Sequence, residues 1–167
     1  FYEQLDHNIP ESENGIPDII DEALWILDFY RRMQWENGAV SGGVESAEHP
    51  SYADTSWRES IPTYAYWPDY WSTLEYVAAA AQASRVLQDI DKDLAKVYRV
   101  SAEKGMEWAE VEYAREMQSG RIETRVSEIP DTRNLAAIEL YRLTGEDKWH
   151  AIFEENTLLV TPERLKD

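Results

Sequence analysis

The sequence predicts an all-α fold built from helical hairpins. Apolar residues recur at helical spacing in five successive stretches, and glycines or turn dipeptides punctuate them. No stretch alternates apolar and polar residues over more than a few positions, so no strand is expected.

The first helix is expected from Pro17 to Gln34. Asn14-Gly15 makes a turn ahead of it, and Pro17 suits the first helical position, where a missing N–H costs nothing. Asp18, Asp21 and Glu22 load the first turn with negative charge, which the helix dipole favours. Ile20, Ala23, Leu24, Leu27 and Tyr30 form one apolar face, and Asn37-Gly38 marks the stop. From Asn37 to Pro68 the chain is irregular and rich in Gly, Ser, Pro and aromatic rings; so long a loop in a compact domain is functional or disordered.

The second helix, Asp69 to Leu87, carries Leu74, Val77, Ala78 and Ala81, and its small residues predict close packing. The third, Asp93 to Met117, has Leu94, Val97, Tyr98, Ala102, Met106, Trp108 and Ala109 as its buried stripe, with Gly120 closing it. Arg121 to Pro130 reads as a loop, after which Asp131 or Thr132 caps the fourth helix. Leu135, Ala136, Ile138, Leu140 and Tyr141 fill that helix, and Gly145 stands where a C-terminal glycine belongs. The fifth starts at Glu146 or Asp147 and carries Trp149, Ile152 and Phe153; the short link predicts an antiparallel hairpin with the fourth. Trp25, Trp108 and Trp149 lie on helix faces and are expected in the core.

A chain of 167 residues suffices for one domain with a real core. Its formal charge of −17 argues against nucleic acid, whose phosphates need Lys and Arg, and against anionic membranes. No apolar run approaches the length of a membrane span. The absence of Cys removes disulfide and thiol chemistry and leaves the compartment open. Three scattered His give no zinc pattern, and no EF-hand spacing, phosphate loop or nucleophile elbow appears. Seven Trp and ten Tyr beside three Phe suit flat rings with a polar edge, which fits a glycan-handling protein and equally an aromatic core.

The wording of residues 8–25, N-I-P-E-S-E-N-G-I-P-D-I-I-D-E-A-L-W, resembles the catalytic domain of glycoside hydrolase family 9, the cellulase-type enzymes. Gly38-Ala39-Val40-Ser41-Gly42-Gly43-Val44-Glu45 stands where that family has a G-G-V-x-H-K stretch. Residues 70–85 resemble the family's alanine-rich S-T-A-A-T helix, and residues 133–145 its later A-A-A-E-L-Y-x-A-T-G helix. The resemblance implies part of an (α/α)6 barrel and an inverting hydrolase of β-linked glucan or a related polysaccharide. It also implies a parent enzyme that is secreted or periplasmic, and no cofactor, with structural calcium left open as in some members.

The sequence departs from the family pattern in two respects. Glu45-Ser46-Ala47 replaces the His-Lys, and a His follows instead in Glu48-His49-Pro50, which suggests a divergent subgroup. The D-A-G-D aspartates that handle the water are expected upstream of Asn8, and the acid glutamate beyond Asp167. The chain is therefore expected to be an internal segment of the catalytic domain, residues 1–167, truncated at both ends and with no catalytic residue of its own. Alone, its open inner faces would favour a homo-oligomer. Two other readings stand beside this one: a noncatalytic helical module that binds carbohydrate or protein, and another (α/α)6 carbohydrate enzyme.

His49, Trp57, Tyr66 and Trp67 are the candidate substrate-binding residues. His49 sits in the long loop and would hydrogen-bond a sugar hydroxyl; its plainer reading is a surface loop histidine. Trp57, Tyr66 and Trp67 belong to a cluster with Tyr64, Tyr70 and Trp71, of which one or two rings would stack on sugar faces and the rest would be buried. Asp54 and Glu59 are the carboxylates near the aromatic loop without an obvious capping role, and would be the acid and base candidates only in a self-contained hydrolase. His150 reads as an exposed or packed side chain rather than a ligand.

Overall fold

The computed structural model describes residues 14–51, 55, 57, 60–120 and 128–157, the side chains of 128–130 and 156 excepted. Residues 8–13 of the opening motif, Asp54 and Glu59 lie outside the described residues. The described elements are α1 (Asp18–Arg32), β1 (Val44–Ser46), β2 (Thr63–Ala65), α2 (Tyr70–Leu87), α3 (Lys92–Ser119), α4 (Glu128–Thr144) and α5 (Asp147–Asn156).

Helix α1 begins one residue later than expected. Pro17 is its N-cap, extended at ψ 134, and the Pro17 carbonyl accepts from the N–H groups of Ile20 and Asp21. Leu24 and Leu27 are buried, with Ile20 and Tyr30 packed against the core. Ala23 is exposed, and so is Trp25, at 76%. The expectation of a buried Trp25 is thus corrected: it stands largely exposed at a cleft that α1 forms with Leu94 and Tyr98 of α3. The helix stops at Arg32 because a tight turn follows, in which Gly38 N–H donates to the Trp35 carbonyl with Gly38 at φ +101.

Asp69 caps α2, accepting from Ser72 N–H at 2.9 Å and from the Ser72 hydroxyl at 2.8 Å. Ala78, Ala80, Ala81 and Ser84 are buried, which lets α2 lie close to both α3 and α4. Asp91 caps α3, and Gly120 closes it in the left-handed region, as its position predicts. The stripe of α3 is shifted from expectation. Ala95, Ser101 and Gly105 join Tyr98, Ala102, Met106 and Ala109 inside, while Val97 is exposed and Leu94 and Trp108 are only partly buried. Small residues won those places because α2 passes too near for branched ones; a Cβ on Gly105 would meet Val77 Cγ2 at 2.8 Å.

Helix α4 starts at Glu128, so Pro130 falls in its first turn rather than in a loop, and Asp131 and Thr132 lie inside the helix instead of capping it. A first-turn proline is tolerated because its missing N–H would have had no intrahelical acceptor. Leu135, expected inside, is exposed; Ala136, Ala137, Leu140 and Leu143 are buried. Gly145 ends α4 at φ +71, and α5 packs back on it, with Trp149 buried. Arg133 ties this hairpin to α3: its guanidinium forks onto both Glu110 carboxylate oxygens at 2.7 Å, reaches Glu155 at 3.0 Å, and lies over the Tyr113 ring.

The absence of strands is also corrected. β1 and β2 pair antiparallel, with Val44 opposite Ala65, Glu45 opposite Tyr64 and Ser46 opposite Thr63. At three residues each they are too short for alternation to be visible in the sequence.

Candidate functional site

Polar groups anchor the long loop to the helices at its start. Gln34 donates its amide N–H to the carbonyls of Gly38 and Ser101, both at 3.0 Å, and accepts from the Ser101 hydroxyl at 2.6 Å. The Tyr76 hydroxyl meets Ser101 Oγ at 2.6 Å, so one buried chain of bonds links the loop, α2 and α3. Val40 N–H donates to Thr73 Oγ1, which itself donates to the Asp69 carbonyl. A Cβ on Gly38 would stand 2.3 Å from the Lys104 carbonyl oxygen, and one on Gly42 would stand 2.2 Å from Ser72 Oγ. The backbone therefore runs in contact with α3 and then with the N-terminus of α2, where glycine alone fits.

From that seat the β1–β2 hairpin projects beside the start of α2. Tyr66 N–H donates to the Gly43 carbonyl at 2.9 Å, and Ala47 N–H to the Pro62 carbonyl, extending the ladder at both ends. Glu45, Tyr64 and Tyr66 share one face of the hairpin by the two-residue period. Tyr64 is 63% exposed and Tyr66 48%. The negative charge of Glu45 holds the Tyr66 phenol above its usual range.

Trp67, next in the chain, meets Trp35 edge to face, the ring centroids 5.2 Å apart at 66°. Trp35 donates its indole N–H to Ser41 Oγ at 3.1 Å. The two rings, with Tyr70, Trp108, Glu112 and Arg115, line a cleft of about 510 Å³ between the loop and α3. Glu112 and Arg115 pair at 2.7 Å on its rim.

The four sequence candidates divide accordingly. Tyr66 lies against Gly43 of the hairpin, and Trp67 lines the cleft. Trp57 is exposed at 81%, and His49 is exposed beyond the end of β1. Of the wider cluster, Tyr64 is exposed, Tyr70 packs against the core and stands 6.5 Å from Tyr113, and Trp71 is half-buried. Sequence reasoning misses Glu45 and Trp35 as members of the site: a cross-strand partner and a Trp folded back by a turn leave no spacing signal. His150 packs between Tyr141 and Phe153, with Nδ1 3.5 Å from Glu154.

The sequence profile of glycosyl hydrolase family 9 matches residues 2–163. The chain belongs to that family. The cellulose 1,4-beta-cellobiosidase of Acetivibrio thermocellus is 27% identical across 95% of this chain and 19% of its own length. Endoglucanase C of Cellulomonas fimi is 29% identical across 84% of the chain and 14% of its own length. The xyloglucan-specific endo-beta-1,4-glucanase of Bacteroides ovatus is 26% identical, over 98% of the chain and 30% of its own length. A metagenome-derived family 9 endoglucanase superposes with a TM-score of 0.70 at 25% identity, covering 89% of this chain and 28% of that one. The family 9 protein of Bacteroides ovatus superposes at 0.76, with 92% and 31% covered.

This family 9 chain thus spans less than a third of the relatives it matches, and its helical hairpins form part of an (α/α)6 barrel. Among the described residues no group of three or more His, Cys, Asp or Glu is placed to hold a metal ion, and no helix is long and apolar enough to cross a membrane.

Proposed function

We propose that the chain is an internal segment of an inverting glycoside hydrolase that acts on β-linked glucan or a related polysaccharide outside the cytoplasm, in a secreted or periplasmic enzyme. Its own part is structural and recognitive. The helices build one side of the barrel, and the stretch from Gly43 to Trp71 forms part of the cleft wall. The two carboxylates that inversion needs, a general base for water and an acid for the leaving oxygen, come from stretches outside these residues.

One observation carries this reading: Tyr64 and Tyr66 stand exposed on one face of the hairpin and Trp67 stands exposed beside the cleft, all just ahead of α2, with Tyr66 tied to Gly43 through the backbone. A rigid aromatic surface with polar edges suits the C–H faces and hydroxyls of a sugar chain. Tyr66, Trp67, Trp57 and His49 are the proposed contacts. The names of the relatives, a cellobiosidase, an endoglucanase and a xyloglucan-specific glucanase, support a β-glucan as the substrate class.

Packing also supports the segment reading. α2 contacts α3 and α4, and α4 contacts α5, so two hairpins lie side by side through α2 and α4. α1 stands against α2 like the outer helix of a third hairpin whose inner helix is supplied from elsewhere in the polypeptide. The place for that helix is an apolar groove of about 570 Å³, walled by Ile19, Ala23 and Ile26 of α1 and Ala79, Ala83 and Val86 of α2.

The test is hydrolysis of β-1,4-glucan, xyloglucan and an α-glucan by the full-length protein, with the anomer of the first product followed by NMR. Release of the α-anomer from a β-glucan is the expected result. Binding without hydrolysis would return the chain to a noncatalytic module, and release of the β-anomer would remove inversion.

A further inference from the structure

Resting on the glycan-hydrolase reading above, we propose that Glu45 is a specificity-determining residue: its carboxylate receives the hydroxyls of an uncharged glycan and repels glycans that carry carboxylates. Gly42 touches Ser72 of α2 so closely that a Cβ would clash, and this fixes where β1 emerges. Gly43 follows, and the Tyr66 ring lies over it, with Cε2 and Cδ2 only 3.2 and 3.3 Å from where a Cβ would stand. A side chain at 43 would crowd the ring; glycine lets it lie across the strand. With Tyr66 bonded to Gly43 through the backbone, Glu45 is its diagonal neighbour on the same face, within reach of a long side chain. The negative charge of Glu45 raises the pKa of the Tyr66 phenol, as expected of neighbours on one face.

The exposed carboxylate has accepting capacity for a ligand, since two carboxylate oxygens offer about four lone-pair sites. The ion pairs among the described residues do not engage Glu45, so its charge is not neutralised there. Glu45 is exposed, and Tyr64, opposite it in the ladder, adds a second open ring. The face thus offers two aromatic surfaces beside an acceptor-only group. A neutral sugar satisfies such a group with its hydroxyl protons. A uronate or carboxymethyl group brings a second negative charge to it, at a surface position where like-charge repulsion is felt and salt screens it.

The experiment uses the full-length enzyme with E45Q and E45A, a neutral β-1,4-gluco-oligosaccharide and its carboxymethylated counterpart, at low and high salt. Both variants change an exposed side chain. E45Q keeps the size and shape of the side chain while removing its charge, so it carries the test if E45A folds poorly. For E45A, KM for the neutral substrate is expected to rise about tenfold, with kcat within twofold. For E45Q, the preference for neutral over carboxymethylated substrate, measured as the ratio of kcat/KM values, is expected to fall about fivefold at low salt and much less at high salt. An unchanged KM in E45A together with an unchanged ratio in E45Q overturns the specificity role and leaves the hydrolase reading standing. A wild-type enzyme that hydrolyses no β-glucan overturns the hydrolase reading, and this proposal with it.

Discussion

Ser101 Oγ stands 2.6 Å from both the Tyr76 hydroxyl and Gln34 Oε1, so a single α3 hydroxyl joins the core helix α2 to the residue from which the long loop departs. All three side chains are buried or half-buried, and the bonds are therefore stronger than their surface equivalents. Replacing Ser101 with Ala leaves a phenol and an amide oxygen without that partner. S101A is expected to lower stability by about 2 kcal/mol, read as a shift in the urea midpoint. It should also weaken glycan binding, because the seat of the loop loosens with it.

Gly38 tests the same seat through the backbone. Its φ of +101 excludes ordinary side chains, and a Cβ would press on a carbonyl oxygen of α3 rather than on a side chain that can move. G38A is expected to cost roughly 3 kcal/mol by denaturant unfolding, well above a glycine change at an open site. Gly120 and Gly145 also have positive φ, but nothing stands within 4 Å of their Cβ positions. Alanine at either should therefore cost less than at Gly38.

Alkaline pH reports on Tyr76. Burial raises its pKa from 10.0 to about 12, against the smaller opposing effect of the Ser101 hydrogen bond. Below pH 10 the phenol is protonated whether the chain is folded or not, and stability is undiminished. Between pH 10 and about 12 the unfolded chain releases a proton that the folded chain keeps, so stability falls as pH rises, by about 3 kcal/mol in total. Urea midpoints measured from about pH 9 to 12 should follow that slope, and Y76F should flatten it.

Ile26 distinguishes an exposed surface from a seat for a missing helix. It is 49% exposed here and lines the groove between α1 and α2. In the isolated 167-residue chain, I26D should change stability by less than about 0.5 kcal/mol. In the full-length protein the same change would bury a charge against the proposed inner helix, at an expected cost above about 2 kcal/mol. Equal effects in both would argue against that helix.

Much of this architecture is legible because helices announce themselves locally. The starts of α2 and α3 fall within one residue of expectation, and the terminal glycines Gly120 and Gly145 follow from residue chemistry within one turn. Burial is less legible, since helical spacing marks an apolar face without saying how wide the covered part is. Trp25 and Val97 lie at the margins of such faces and point to solvent, while Ser101 and Gly105 are inside because α2 approaches closely. Within the candidate site, Tyr66 and Trp67 are visible as rings in a long loop. Glu45 is not, because its meaning depends on a pairing with Tyr64, far along the loop, that no local pattern encodes.

If the α2 N-terminus presents a glycan-binding wall, Trp67, its most exposed ring with a defined neighbour, carries part of the affinity. The most direct measurement is calorimetric titration of a neutral β-1,4-gluco-oligosaccharide into the full-length protein and its W67A variant. A loss of about tenfold in affinity, or about 1.4 kcal/mol, with an unchanged unfolding midpoint is the predicted result. Equal affinity in the two proteins would contradict the account and leave Trp67 as a surface ring packed on Trp35.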